Sequence, residues 1–309
     1  MANEIIKESV NKVSIVGTLV KNALEIKNLG AENEAIAGKL ILRTADTSEH
    51  EVNYYANKYK KEDGKFTTQE NKVFAGLETV MNDYIGLDDV ENESEADVIK
   101  IGFGAFQGND FKDNKDNKII STSKIKATFA NRLTDKEKEI TPLEAKFEVS
   151  GVITKIEDEI YKENVTGHKI VHLNVIGYNG TLIPVKAKIT SEKVEGFSKV
   201  GFYEGGTGKL TGNLICTLTK DTVTEKQDFG DDIIREVTFT VKYNNVTGGT
   251  MLGDLTSLKL TEELYATCLS KRRLYLDELL NKTKGETPDT VDEPFATASK
   301  PPVSTNPFN

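Results

Sequence analysis

The sequence of 309 residues has few of the side chains that build reactive sites: no tryptophan, two cysteines and three histidines. Cys216 and Cys268 lie in apolar, strand-like and helix-like runs, so we expect two small buried thiols in a reducing compartment. His168 and His172 share a strand face, but no cluster of cysteines or carboxylates completes a metal site around them. We therefore expect no metal and no cofactor.

Long apolar runs are also missing. Segments such as VSIVG and GNLIC are far shorter than the roughly 18 residues of a spanning helix, so we expect no membrane contact. The first residues, MANEIIKESVNK, are amphipathic and charged, without the basic and apolar regions of a secretory signal. A cytoplasmic location, in the host cell if a phage encodes the chain, is the expectation.

An enzyme needs a reactive constellation, and the sequence offers little. The stretch GFYEGGTGKLT resembles a phosphate-binding loop. Tyr203, however, stands where the first glycine is required, and Leu210 where serine or threonine must follow the lysine. We therefore expect a binding protein rather than an enzyme.

The charge balance limits what such a protein could bind. The net charge is −9, which argues mildly against a nucleic-acid ligand because phosphate contacts need basic side chains. Lysine dominates the basic residues, with arginine only at Arg43, Arg132, Arg235, Arg272 and Arg273. That usage favours attraction to a nucleic-acid backbone over bidentate reading of bases.

An internal repeat organises the chain. The segments KVSIVGTLVKNALEIKN (residues 12–28) and KFEVSGVITKIEDEIYKEN (residues 146–164) both alternate apolar residues into a glycine. The alignment sets Val13, Ile15 and Gly17 against Phe147, Val149 and Gly151. Each copy continues with two strand patterns, a middle segment and a second hairpin, so five strands occur twice.

Five strands with a helix between the third and fourth are typical of the OB-fold, a five-stranded Greek-key barrel. The glycine inside each first strand fits a barrel strand that bends sharply. The prediction is a mostly β protein with two tandem OB-fold barrels, at residues 1–135 and 136–257. A β-sandwich with an inserted helix is the alternative.

Helices are expected at two places. In the first copy Thr67-Thr68-Gln69-Glu70 offers a capping box, followed by apolar residues at helical spacing. Residues 258–284 predict a C-terminal helix with Thr261 as N-cap and an apolar stripe of Tyr265, Leu269, Leu276 and Leu280. We expect this helix to pack on the second barrel; a helix that binds a partner is the alternative. Residues 285–309 hold five of the seven prolines and predict a disordered tail.

Strand alternation selects candidate ligand-binding residues. In HEVNYYANKYKK, Val52, Tyr54 and Ala56 share the apolar face, so Tyr55 points outward. An OB barrel binds through strands 2 and 3 and the adjoining loops. The candidates in the first barrel are Arg43, Tyr55, Lys58, Tyr59, Lys60, Lys61, Phe103, Phe106, Phe111 and Lys112; those in the second are Tyr178, Lys186 and Lys188. An ordinary edge strand with protective lysines is the alternative reading of residues 54–61.

On these features the chain resembles the phage-type single-stranded DNA-binding proteins with two OB domains and a flexible C-terminal tail. The resemblance implies sequence-independent binding and protection of single-stranded DNA during replication, recombination or repair. It also implies that replication or recombination proteins bind the tail, through Pro307 and Phe308, although the tail does not end in acidic residues. An OB-fold structural or accessory protein of a phage assembly, which binds proteins instead of DNA, is the alternative.

Overall fold

The computed structural model describes residues 6–30, 34–62, 65–113, 116–227, 229 and 233–281, and these form fourteen strands and four α-helices. The first half contains strands β1 (Asn11–Asn28), β2 (Glu34–Ala45), β3 (Ser48–Asn57), β4 (Tyr59–Glu62), β5 (Lys65–Glu70), β6 (Val98–Gly102), β7 (Ala105–Asp113), β8 (Lys118–Lys126) and β9 (Phe129–Arg132), with helices α1 (Lys72–Asp83) and α2 (Asp135–Ile140).

The second half contains strands β10 (Glu144–Tyr161), β11 (Asn164–Ile176), β12 (Leu182–Ile189), β13 (Thr207–Glu225) and β14 (Ile233–Gly253), with helices α3 (Ser191–Val200) and α4 (Glu262–Asn281). The prediction of a mostly β protein is confirmed. None of the described helices is both long and apolar enough to span a membrane.

Strand pairing follows the same circuit in both halves. In the first half β1 pairs with β2, β2 pairs with β3, and β3 runs parallel to β8. Strand β8 pairs with β7, and β9, which follows β8, pairs with β6. Strand β6 then pairs with β1. In the second half β10 pairs with β11, β11 with β12, β12 runs parallel to β14, β14 pairs with β13, and β13 returns to β10. Each half therefore closes on its own first strand.

The two halves join through their first strands in a symmetric register. β1 and β10 are antiparallel, and Val13 pairs with Phe147, the residue with which the sequence repeat aligns it. The flanking pairs are Lys12 with Glu148 and Ser14 with Lys146. The repeat aligns Lys12 with Lys146 and Ser14 with Glu148, so each of these pairs is the equivalent of the other. An approximate two-fold axis thus passes between Val13 and Phe147.

Gly17 and Gly151 occupy equivalent positions, and both allow a close approach of two strands. A Cβ on Gly17 would lie 2.9 Å from the carbonyl oxygen of Arg43, and one on Gly151 would lie 2.5 Å from that of Asn174. A side chain at either position would collide with the backbone of the second strand. Both positions therefore require glycine, because of the close approach of the second strand.

The helix expected in the first copy is present, but its predicted start is wrong. Residues 67–70 belong to β5, and α1 begins at Lys72 behind Asn71, whose side chain accepts a hydrogen bond from the amide of Val73 at 3.1 Å. The Asn71 amide group also donates to the carbonyl of Asn57 at 2.9 Å. This tie to the end of β3 sets the helix start more strongly than a local capping pattern.

Helix α4 packs on both halves, rather than on the second alone. Its N-cap is Thr261, as expected, since Thr261 Oγ1 accepts from the amide of Leu264 at 3.2 Å. Within the expected stripe Leu269 is exposed, whereas Cys268 is buried against Ile176 and Leu182. The predicted stripe was therefore wrong at that position. Residues 282–309, including Pro307 and Phe308, lie outside the described part of the chain.

Candidate nucleic-acid interface

Strand β3 has the predicted alternation. Val52, Tyr54 and Ala56 are buried, whereas Tyr55 is half-buried on the outer face, where its hydroxyl donates to Asn57 Oδ1 at 2.7 Å. Burial, with a contribution from Tyr84, raises the pKa of Tyr54 well above its usual value. The outer face of β3 also carries Glu49, Glu51 and Asn53, so Tyr55 continues a polar surface.

The basic cluster after β3 forms a separate two-stranded sheet instead of extending that strand. Tyr59 pairs with Glu70, and the ammonium of Lys61 lies 5.0 Å above the ring of Phe66. Lys60 is exposed. Lys58 donates to Glu34 at 2.7 Å, and this hydrogen bond and charge raise the pKa of the lysine. A phosphate would have to compete with that carboxylate.

The four candidates on the hairpin of strands β6 to β9 are dispersed. Phe103 is 82% exposed. Phe106 is 4% exposed, and its ring centre lies 6.1 Å from that of Phe147 in the core, so it offers no face for base stacking. The prediction for Phe106 was wrong because the chain turns at Phe103, which adopts a φ of +52° and shifts the alternation that follows. Phe111 is half-buried, and Lys112 Nζ donates to the carbonyl of Leu280 at 2.6 Å.

The remaining candidates lie on outer surfaces or in ion pairs. Arg43 contacts Glu49 at 3.1 Å and Glu93 at 3.3 Å. In the second half Tyr178 is 73% exposed on a turn, Lys186 is exposed on β12, and Lys188 points from the same strand face.

A groove of about 650 Å³ brings strands of both halves together. One wall comes from the first half, through residues of β3, β7 and β8. The other comes from the second half, through residues of β10 to β14. Of the candidates named from sequence, it contains Phe106, Lys186 and Lys188; its further charged and aromatic lining includes Glu49, His50, Glu51, Lys124, Glu157, Glu159, His172, Lys242 and Tyr243.

Ion pairs hold most of these charges in place. Lys188 donates to both carboxylate oxygens of Glu159, at 2.9 and 2.8 Å, and lies 5.0 Å from the ring centre of Tyr243. Burial opposes ionisation of Glu159, but hydrogen bonds from Lys188 and Thr166 outweigh it and lower the pKa of this carboxyl. Lys242 lies 3.9 Å from Glu51 on the opposite wall. The groove therefore offers ammonium groups whose partners an anionic ligand could replace.

Sequence reasoning missed Lys242 and Tyr243. Their strand, β14, runs parallel to β12, with Asn245 beside Lys188. The residues just before Asn245 therefore lie next to Lys186 and Lys188 in the groove. The dipeptide Lys-Tyr in VKYNNV is the same as the Lys-Tyr of the cluster after β3. A search of the sequence for neighbouring basic and aromatic residues could have found it.

His50 is a buried titratable group in the groove wall, 4% exposed. Its Nε2 lies 3.1 Å from the hydroxyl of Thr44 and 3.3 Å from that of Ser48. Burial, and secondarily the charge of Lys242, lower the pKa of His50 to about 4. The imidazole is therefore neutral in the folded protein at neutral pH.

We expect this lowered pKa to make folding pH-dependent. Above the unfolded pKa of 6.5 the imidazole is neutral in both states, and as the pH falls towards 4 protonation favours the unfolded chain. The free energy of unfolding should drop by about 2 kcal/mol between about pH 7 and pH 5. Chemical denaturation at both pH values measures this, and a His50→Gln variant should lose clearly less. An equal loss in the variant would assign the effect to other groups.

Comparisons with known proteins give a family and several distantly similar solved structures, including the following three. The wild-type single-stranded DNA-binding protein from Thermus aquaticus is 13% identical, with 79% of this chain and 94% of that chain covered and a TM-score of 0.46. A deletion and point variant of the same protein is 12% identical over 79% and 95%, with a TM-score of 0.45. A replication protein A heterotrimer bound to single-stranded DNA is 11% identical over 91% and 55%, with a TM-score of 0.19.

No similar sequence was found among curated proteins. The model of the YorF family matches residues 9–282. This match spans both halves, from before β1 to one residue beyond α4, and the chain therefore belongs to the YorF family.

Proposed function

We propose that this chain binds single-stranded DNA without sequence preference. The observation that carries the proposal is the groove between the halves, where Lys186, Lys188 and Lys242 lie beside the aromatic ring of Tyr243. Lysines along a groove attract a phosphate backbone, and aromatic rings stack on any base. The scarcity of arginine agrees with binding that does not read sequence.

The proposal includes two OB-fold barrels, at residues 1–135 and 136–257. In support, the strands of the second half pair in the order β10, β11, β12, β14 and β13, with β12 parallel to β14. The first half has the same order, with β3 parallel to β8. This is the strand circuit of the OB-fold, whose second and third strands commonly bind oligonucleotides. The remaining proposed contacts lie outside the lining of the groove: Arg43, Tyr55, Lys58, Tyr59, Lys60, Lys61, Phe103, Phe111, Lys112 and Tyr178.

The proposed role is protection of exposed single strands during DNA replication or recombination, in a phage system as the sequence resemblance implies. The named neighbours agree in ligand: the Thermus aquaticus protein is a single-stranded DNA-binding protein, and the replication protein A trimer was bound to single-stranded DNA. Binding of replication proteins by the tail through Pro307 and Phe308 is part of the same proposal.

Fluorescence anisotropy with labelled oligo-dT of about 30 nucleotides, long enough for two barrels, tests the function. We expect binding to oligo-dT and to mixed-sequence strands with similar affinity, and much weaker binding to duplex of the same length. If about five phosphates are neutralised, log K should fall against log salt with a slope near −3.5. Equal affinity for duplex, or a flat salt response, would contradict the proposal.

Protein binding is a second candidate function, favoured by a different observation. The far part of the β13–β14 ribbon exposes apolar side chains, namely Leu218, Ile234, Val237 and Phe239. Exposed apolar surface on a two-stranded ribbon is typical of a contact site. If oligo-dT does not bind, this ribbon becomes the surface to test, by light scattering for self-association.

A further inference from the structure

The groove lies across the approximate two-fold relation between the halves. Strand β3 of the first half and β12 of the second occupy equivalent places, as do β8 and β14, because each pair has the same partners in the circuit. All four strands line the groove. A groove of this kind has two walls built from corresponding residues.

Register assigns the corresponding residues. In both halves a bulge interrupts the first pairing at the same point, between Leu19 and Lys21 and between Ile153 and Lys155. Beyond it, Ile41 pairs with Glu51 in the first half, and His172 pairs with Lys186 in the second. Glu51 and Lys186 are therefore equivalent.

The same counting extends along the walls. Two residues further, Asn53 corresponds to Lys188. Since Asn53 lies beside Lys126 and Lys188 beside Asn245, Ser123 corresponds to Lys242. At three equivalent positions the second wall thus has lysine, where the first has glutamate, asparagine and serine.

The three lysines are not equally available. Lys188 is 16% exposed and bound to Glu159. Lys242 is more than half exposed, and its contact with Glu51 is long, at 3.9 Å. Lys186 is exposed and forms no ion pair within the part of the chain that the structure describes. Lys186 and Lys242 are therefore the groups that a phosphate reaches with least competition.

The first wall is different. Glu49 and Glu51 face the groove, paired to Arg43 and Lys39, and Ser121 and Ser123 add neutral hydroxyls. Lys124 is the basic residue on this side, and it already has a partner. A second phosphate backbone along this wall would meet two carboxylates and one lysine, whereas the second wall sets Lys186, Lys188 and Lys242 against Glu157 and Glu159.

We propose that the groove holds one sugar-phosphate backbone, laid along the wall of the second half on Lys186 and Lys242. This inference rests on the proposed function. It adds which wall of the groove contacts the phosphates and how many DNA strands the groove binds. Two equivalent walls related by a dyad would suit the two backbones of a duplex. The carboxylates of Glu49 and Glu51 break that symmetry, so the groove selects a single strand.

Salt titration of binding tests the sided contact. Lys186→Gln and Lys242→Gln should each reduce the steepness of log K against log salt by about 0.7, the contribution of one phosphate on a single strand. Lys199→Gln, which removes an exposed lysine from α3 and gives the same change in net charge, is the matched control and should leave the slope unchanged. Melting temperatures establish that all three variants fold.

Glu51→Lys tests whether the groove binds one DNA strand. The variant has a lysine at the position of the first wall that is equivalent to Lys186. Duplex affinity should rise by about ten-fold at low salt, the effect of one added phosphate contact. Should the lysine destabilise the fold beside Lys39, Glu51→Gln is used instead, and single-strand binding should tighten as Lys242 is released.

The outcomes separate the two proposals. If oligo-dT binds, but the Lys186 and Lys242 variants have the same salt slope as the wild type, the DNA strand does not contact these lysines. The proposed contact with the second-half wall is then overturned, while the proposed function stands. If duplex affinity does not respond to Glu51→Lys, and single-strand affinity does not respond to Glu51→Gln, the single-strand selection is overturned. If wild type binds no oligo-dT, the function itself fails.

Discussion

Replacing Arg272 by alanine is expected to lower the free energy of unfolding by about 3 to 5 kcal/mol, the cost of removing one partner from a buried ion pair. The guanidinium donates to both carboxylate oxygens of Asp110, at 3.1 and 2.7 Å. The Asp110 side chain is only 4% exposed and that of Arg272 14%. Without the arginine, the carboxylate would be buried and charged with no counter-ion.

The contacts of Arg272 explain why the effect should reach the whole molecule. The same guanidinium donates to the carbonyl of Leu182 at 3.1 Å and to the hydroxyl of Ser121 at 3.2 Å. It thereby ties α4 to the first half through β7 and β8, and to the second half at the start of β12. We expect a single cooperative unfolding transition in the wild type and separated transitions of the halves in Arg272→Ala.

Chemical denaturation with two optical probes measures both effects. Arg273→Ala is the matched control, because it removes an exposed arginine from the same helix and should change stability by no more than about 0.5 kcal/mol. Adding Asp110→Asn to Arg272→Ala should recover part of the loss, since the amide carries no charge. Equal stability of the Arg272 and Arg273 variants would show that α4 contributes little to joining the halves.

The sequence predicts the features that depend on local alternation. The repeat, the order of the strands and the inward face of β3 all follow from apolar residues at every second position. These signals survive because burial on one face of a strand leaves a pattern in the chain itself.

The groove could not be predicted in the same way, because its walls meet through contacts between distant parts of the chain: the pairing of β1 with β10, a bridge between β3 and β13, and the packing of α4 on both halves. Lys242 and Lys186 are 56 residues apart in the chain by their numbering, and nothing local connects them. Phe106 shows the complementary error. One residue with positive φ, Phe103, shifted the alternation, so an aromatic residue expected on the surface lies in the core.

Tyr54 and Tyr55 are neighbours in β3 for which opposite effects are expected. Tyr54 is 3% exposed, so Tyr54→Ala should open a core cavity and lower the free energy of unfolding by about 3 to 5 kcal/mol. Within the described structure its hydroxyl has no hydrogen-bond partner. Tyr54→Phe should therefore be neutral or stabilising, because it removes a buried polar group that makes no bond.

Tyr55→Ala should leave stability within about 1 kcal/mol of wild type, since the ring is half-buried on the outer face, where its hydroxyl donates to Asn57. A stacked base contributes about 1 to 3 kcal/mol, so binding of oligo-dT should weaken by roughly 5- to 150-fold. Tyr55→Phe keeps the ring and is the matched control, with affinity close to that of wild type. Melting curves and anisotropy on the four variants give both quantities. If Tyr55→Ala and Tyr55→Phe bind equally well, the base-stacking surface does not include Tyr55, and Tyr243 on the opposite wall becomes the first aromatic contact to test.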